Sequence, residues 1–102
     1  MSTLGKKIMI KYPDRIPIIV KTIGFKIDKD KYLAPSNIEL SNFVNQFRKI
    51  NSYLIDSTQT IFVFINNIIC LPSDRISIIY EKYKSQLDDC LHITISIENF
   101  FG

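Results

Sequence analysis

The sequence predicts an α+β domain, and three observations carry that prediction. Leu40, Phe43, Val44 and Phe47 fall at helical spacing, with Ile50 on the same stripe and Asn42, Asn45, Arg48 and Lys49 on the other face. Leu91, Ile93, Ile95 and Ile97 alternate with His92, Thr94, Ser96 and Glu98, the pattern of a half-buried strand. Ile61–Phe62–Val63–Phe64–Ile65 is a continuous β-branched and aromatic run, expected to be a strand buried on both faces. One long helix among several strands must lay its apolar stripe across a sheet.

The other elements follow in order. Residues 1–5 are expected to be mobile, and 6–11 to form one or two helical turns with Ile8 against the body. Tyr12–Pro13–Asp14–Arg15 reads as a turn, because proline presets one dihedral and aspartate tolerates the corner. Residues 15–22 read as the first strand, with Ile16, Ile18, Ile19 and Val20 too dense for one wholly wet face. Pro17 is placed where pairing runs out. A connection through Gly24 leads to Lys31–Tyr32–Leu33–Ala34–Pro35, a short alternating segment that has lysines on its approach and stops at a proline. Those are the marks of an edge strand.

Ser36 and Asn37 read as start signals for the long helix, and residues 51–60 as a loop. Asn66–Asn67 tolerates the positive φ of a tight hairpin turn and returns the chain through a short strand at 68–71. Pro72–Ser73–Asp74 opens a second helix with Ile76, Ile79, Tyr80 and Tyr83 on one face. Residues 85–89 are a loop, and 99–102 a tail. This order satisfies a β-grasp arrangement, in which the last strand lies beside the first in mid-sheet and residues 31–35 form an outer edge.

At 102 residues the chain is one domain, able to bury a core without a staple. A net charge of +3 falls short of a nucleic-acid-coating surface and suits weak attraction to anionic lipid or acidic peptide. Cys70 and Cys90 sit among apolar residues and are expected to pack as small hydrophobes. With one histidine and no Cys/His cluster, neither metal nor cofactor is expected. No segment is apolar enough to span a bilayer, and the lysines at 6 and 7 are not followed by a signal-peptide core. The expected location is the cytoplasm.

An enzyme is not expected. Asp88 and Asp89 are adjacent and point apart on an extended segment, so they read as a solvated loop rather than an acid/base pair. His92 has no nucleophile beside it, and the three glycines, Gly5, Gly24 and Gly102, form no phosphate loop. Phe62 and Phe64 lie on a strand, as base-stacking aromatics do, but core packing accounts for them better. The edge strand remains. An open edge offers unpaired N–H and C=O groups to an extended peptide. Leu33, Ile19 and Pro17 are placed to wall one side-chain pocket, and Ile38, Phe43 and Phe47 another. Lys29, Lys31 and Arg48 would attract flanking carboxylates. The Phe101–Gly102 end leaves a carboxylate on a residue with no side chain, free to approach a thiol closely.

These stretches resemble the autophagy ubiquitin-like modifiers, the GABARAP-like (autophagy-related protein eight) family. The likeness runs through residues 11–20, 28–36, 61–67 and 79–81 and the closing Phe101–Gly102, in the family's order from about Lys6 onward. It implies one ubiquitin-like domain over residues 1–102, with 1–11 as a shortened N-terminal helical extension and 99–102 as a conjugation tail. It implies ATP-dependent activation of Gly102, transfer by the pathway's activating and conjugating enzymes to phosphatidylethanolamine, and membrane association after lipidation. It also implies recruitment of receptors carrying aromatic-x-x-aliphatic motifs, by a chain that is monomeric before conjugation. The aromatic pocket would use Ile8, Pro17, Ile19, Lys31 and Leu33. The aliphatic pocket would use Tyr32, Pro35, Ile38, Phe43 and Phe47, with Arg15, Lys29 and Arg48 as charged rims. Departures at Cys90, Gln46 and Ile50 bear on pocket size and peptide preference. Two alternatives stay open: a modifier joined to a protein lysine, like the autophagy-related protein twelve family, and a β-grasp adaptor that is never conjugated.

Overall fold

Ile18 sits opposite Tyr32 on one side and Leu91 on the other, and this triple sets the register of one half of the sheet. The computed structural model describes residues 3–56 and 58–99, the last two by their backbone. Its elements are α1 (Leu4–Lys11), β1 (Arg15–Ile23), β2 (Lys31–Pro35), α2 (Leu40–Ile50), β3 (Gln59–Ile65), β4 (Ile68–Ile69), α3 (Ile76–Tyr83) and β5 (Leu91–Asn99). The strands run in the order β2-β1-β5-β3-β4. β1 and β5 are parallel, and the other pairs antiparallel. The β-grasp expectation holds: the last strand is central and β2 is an outer edge.

The expected stripe makes the core. Leu40, Phe43 and Phe47 of α2 are buried with Ile16, Ile18 and Val20 of β1, and with Leu91, Ile93 and Ile95 of β5. Pro17 falls opposite Leu33, just before β5 pairing begins at Ile18. The Val20 N–H points toward β2, donating to the Asp30 carbonyl. By alternation the missing Pro17 N–H lies on the β5 side, where no ladder bond is lost. Asn66 and Asn67 adopt φ of 51° and 64°, as the hairpin turn requires.

Local propensity misplaces several details. Residues 4 and 5 are helical rather than mobile, because the Gly5 N–H donates to the Asp88 carbonyl at 2.7 Å. α2 is capped by Glu39, whose N–H donates to Asn42 Oδ1 at 3.1 Å, and not by Ser36 or Asn37. A bridge between Glu39 and Arg75 holds Glu39 extended until the helix begins. β4 stops after two residues because the Leu71 N–H turns to the Asp74 carboxylate.

β3 is buried on one face only: Ile61, Val63 and Ile65 meet the core, while Phe62 and Phe64 lie on the far face, with Phe62 37% exposed. α1 lies against β1 on that far face. Asp88 and Asp89 do diverge, but Asp89 is buried rather than solvated.

Candidate functional site

Among the described residues β2 pairs with β1 alone, so its second edge is open. By the alternation that the Val20–Asp30 bond sets, Tyr32 and Ala34 bond to β1 while Lys31 and Leu33 direct their N–H and C=O groups outward. Their side chains stand on the far face, where Leu33 is 42% exposed. Beside them opens a cleft of about 360 Å³, lined by Ile8, Pro17, Ile19, Lys29, Lys31 and Leu33, with Ile18 and Tyr32 behind. The predicted aromatic-pocket residues are thus brought together, one from α1, two from β1 and two from β2.

Lys29 Nζ lies 5.3 Å from the Tyr32 ring centroid, and Lys31 is exposed at the strand's start. An apolar slot with cations at its rim suits an apolar side chain flanked by carboxylates. Cys90, the residue before the Ile18–Leu91 pair, has no exposure. Burial pushes its thiol up to about 11, with Asp88 and Asp89 adding to the shift and Lys31 opposing it. It is therefore an apolar filler at neutral pH and no nucleophile.

The second predicted group is arranged differently. The Tyr32 ring meets Phe43 and Phe47 edge-on, with centroids 5.9 and 5.7 Å apart. Phe43 and Phe47 are buried, while Pro35 and Ile38 are half-buried. Arg15 is exposed at the start of β1. Arg48 is half-buried, its guanidinium donating to the Asp56 carbonyl at 3.4 Å and the Gln59 carbonyl at 3.3 Å, which ties the α2–β3 loop. Gln46 and Ile50 are exposed on α2. Gly102 lies outside the described residues.

Sequence reasoning missed a second apolar groove, of about 270 Å³, between α2 and the β3–β4 hairpin, where Val44, Ile61, Val63, Ile69 and Cys70 meet. The continuous apolar run along β3 carried no signal for it. Also missed was the pairing of His92 Nε2 with Asp88 Oδ2 at 2.8 Å. Burial pushes the Asp88 carboxyl up, but the Cys90 N–H and His92 outweigh it and hold the group below its ordinary value. Among the described residues no group of His, Cys, Asp and Glu is placed to hold a metal ion, and no helix is long and apolar enough to cross a membrane.

The profile of a family described as "Autophagy protein Atg8 ubiquitin like" matches residues 2–102. "Autophagy-related protein 8" of Dictyostelium discoideum is 41% identical over 103 residues, spanning 97% of this chain and 83% of that protein. The protein of that name from Schizosaccharomyces pombe is 40% identical over 104 residues, spanning 98% and 84%. Among solved structures, Trypanosoma brucei ATG8 superposes with a TM-score of 0.84 at 30% identity, over 96% of this chain and 85% of that one. Plasmodium falciparum Atg8, solved with a peptide of P. falciparum Atg3, gives 0.74 at 30% identity, over 88% and 81%.

Proposed function

Because the chain belongs to the Atg8 family of autophagy ubiquitin-like proteins, we propose that it is a membrane-conjugated modifier that recruits proteins through the β2 edge. The observation that carries this reading is the open β2 ladder beside an apolar cleft with a cationic rim. A receptor segment of aromatic-x-x-aliphatic type would add as a strand along Lys31 and Leu33. Its aromatic side chain would enter the cleft walled by Ile8, Pro17 and Ile19. Its aliphatic side chain would lie near Pro35 and Ile38, over the Tyr32–Phe43–Phe47 cluster, with Arg15, Lys29 and Arg48 facing its carboxylates.

Gly102 would be the conjugated residue. Its carboxylate is activated by ATP and passed as a thioester from activating to conjugating enzyme. The phosphatidylethanolamine amine then attacks the carbonyl, forming an amide and releasing the thiol. The chain is here a substrate of enzymes and not one itself, cytoplasmic until lipidation places it on an autophagosomal or related membrane.

A conjugation assay tests this reading. The chain is mixed with the pathway's activating and conjugating enzymes, ATP and phosphatidylethanolamine liposomes, then read by intact mass beside Gly102→Ala. A lipid-sized mass gain lost in the variant is expected. A thioester without lipid adduct would point to a protein-conjugated modifier, and no thioester to an unconjugated adaptor.

A further inference from the structure

The cleft beside β2 owes one wall to a different part of the chain. Ile8 comes from α1, a helix of two turns that is joined to the body in two places. At its C-terminal end the chain turns directly into β1, with the Tyr12 N–H on the Ile8 carbonyl at 2.7 Å and the Arg15 N–H on the Tyr12 carbonyl at 3.0 Å. At its N-terminal end it is held by one side-chain hydrogen bond, one backbone hydrogen bond and close packing.

Those N-terminal contacts converge on the turn before β5. Thr3 Oγ1 donates to Asp89 Oδ2 at 2.5 Å while also accepting from the Lys6 N–H at 3.3 Å, so one hydroxyl both caps the helix and ties it down. The Gly5 N–H donates to the Asp88 carbonyl at 2.7 Å. A Cβ on Gly5 would stand 2.6 Å from that oxygen and closer still to the Asp89 carbonyl, so no other residue fits without moving the helix. The Tyr80 hydroxyl donates to the Asp89 carbonyl at 2.7 Å and touches Met9 Sδ at 3.2 Å.

The turn itself is built to receive the helix. Asp89 is held at φ 57°, a left-handed conformation more natural to glycine, and is only 8% exposed. Its N–H donates to the Ser85 carbonyl, and Ser85 in turn donates to the Cys90 carbonyl, both at 2.9 Å. The Asp88 carboxylate accepts from the Cys90 N–H at 3.0 Å. A buried carboxylate at positive φ is an expensive way to make a turn, and its visible use is the Thr3 hydroxyl.

We propose that the contact of Thr3 and Gly5 with the Asp88–Asp89 turn is a latch that sets the position of α1 and hence of the Ile8 wall. Gly5 and Asp89 are thereby positioning residues for recognition of the aromatic side chain, although neither lines the cleft. The latch rests on the reading of the β2 cleft as a peptide site. With the latch broken, α1 pivots about its junction with β1, and the cleft loses its far wall while the β2 edge is unchanged.

The test uses calorimetric titration of the full chain with a synthetic acidic-flanked peptide bearing Trp-x-x-Leu, and with its Trp→Ala and Leu→Ala forms. Gly5→Ala and Asp89→Gly should each weaken the parent peptide about tenfold, the scale of a lost apolar contact. That loss should appear as reduced discrimination at the Trp position, with discrimination at the Leu position unchanged. Asp89→Asn keeps an acceptor for Thr3 and tolerates the same φ, so it should bind as wild type. Hydrogen exchange should quicken in residues 6–11 while β5 keeps its protection. Equal loss at both peptide positions, or unchanged discrimination with α1 loosened, would overturn the latch. No binding by the wild-type chain would overturn the peptide reading itself, and the latch with it.

Discussion

The sheet has two outer edges, β2 and β4, and they are finished differently. β2 runs five residues, presents two outward N–H and C=O pairs at Lys31 and Leu33, and stands beside a cleft with lysines at its rim. β4 runs two residues, and soon after it Asp74 takes the Leu71 N–H and Pro72 ends the donors. Yet β4 is the more apolar of the two, with Ile68 and Ile69 both exposed. Both edges have an apolar groove beside them, so on the proposed reading what marks β2 for strand addition is the length of its free ladder and its cationic rim, not its greasiness.

The sharpest way to break that contrast is from beneath. Phe47→Ala removes the buried ring that backs Tyr32 and should destabilise the domain by about 3–5 kcal/mol in urea unfolding. The next largest effect is expected at the edge itself. Leu33→Asp puts a charge where the peptide side chain must be dry and should weaken peptide titration by about a hundredfold or more. Because Leu33 is already 42% exposed, the melting temperature should hardly change.

A smaller effect concerns the turn that receives the N-terminal end of α1. The folded Asp88 carboxyl is held below its ordinary value near 3.8, so it contributes stability that is complete above that value. As pH falls below about 3.8 toward the folded value, that contribution is lost. Acid unfolding of Asp88→Asn should therefore lack that part of the decline. Last, Ile69→Asp tests the other edge. Ile69 is 67% exposed, so stability should stay within about 0.5 kcal/mol and peptide binding should not change. A Leu33-sized loss there would dissolve the contrast.

Much of this was legible in the residues because it rests on periodicity. The Leu40–Phe43–Phe47 stripe, the alternation of β5 and the Asn66–Asn67 turn each follow from local rules and each stand where those rules put them. The start of α2 was not legible, since Glu39 is held by Arg75, which lies far along the chain. Nor was the far face of β3, because a continuous apolar run cannot say whether a second layer covers it. Phe62 and Phe64 read as buried from composition, yet Phe62 is 37% exposed and Phe64 half-buried. The cleft divides the same way: β1 and β2 placed Pro17, Ile19, Lys31 and Leu33 together by register, whereas the seating of Ile8 depends on a turn some eighty residues away.

The position of β5 has a consequence for how the chain is made. β5 follows every other strand in the chain and fills the gap between β1 and β3, so a nascent chain holds an opening hairpin and a helix but no continuous sheet until Leu91–Asn99 leaves the ribosome. A product that terminates early lacks the strand on which both halves of the sheet depend. Emergence of β5 and closure of the sheet are therefore one event.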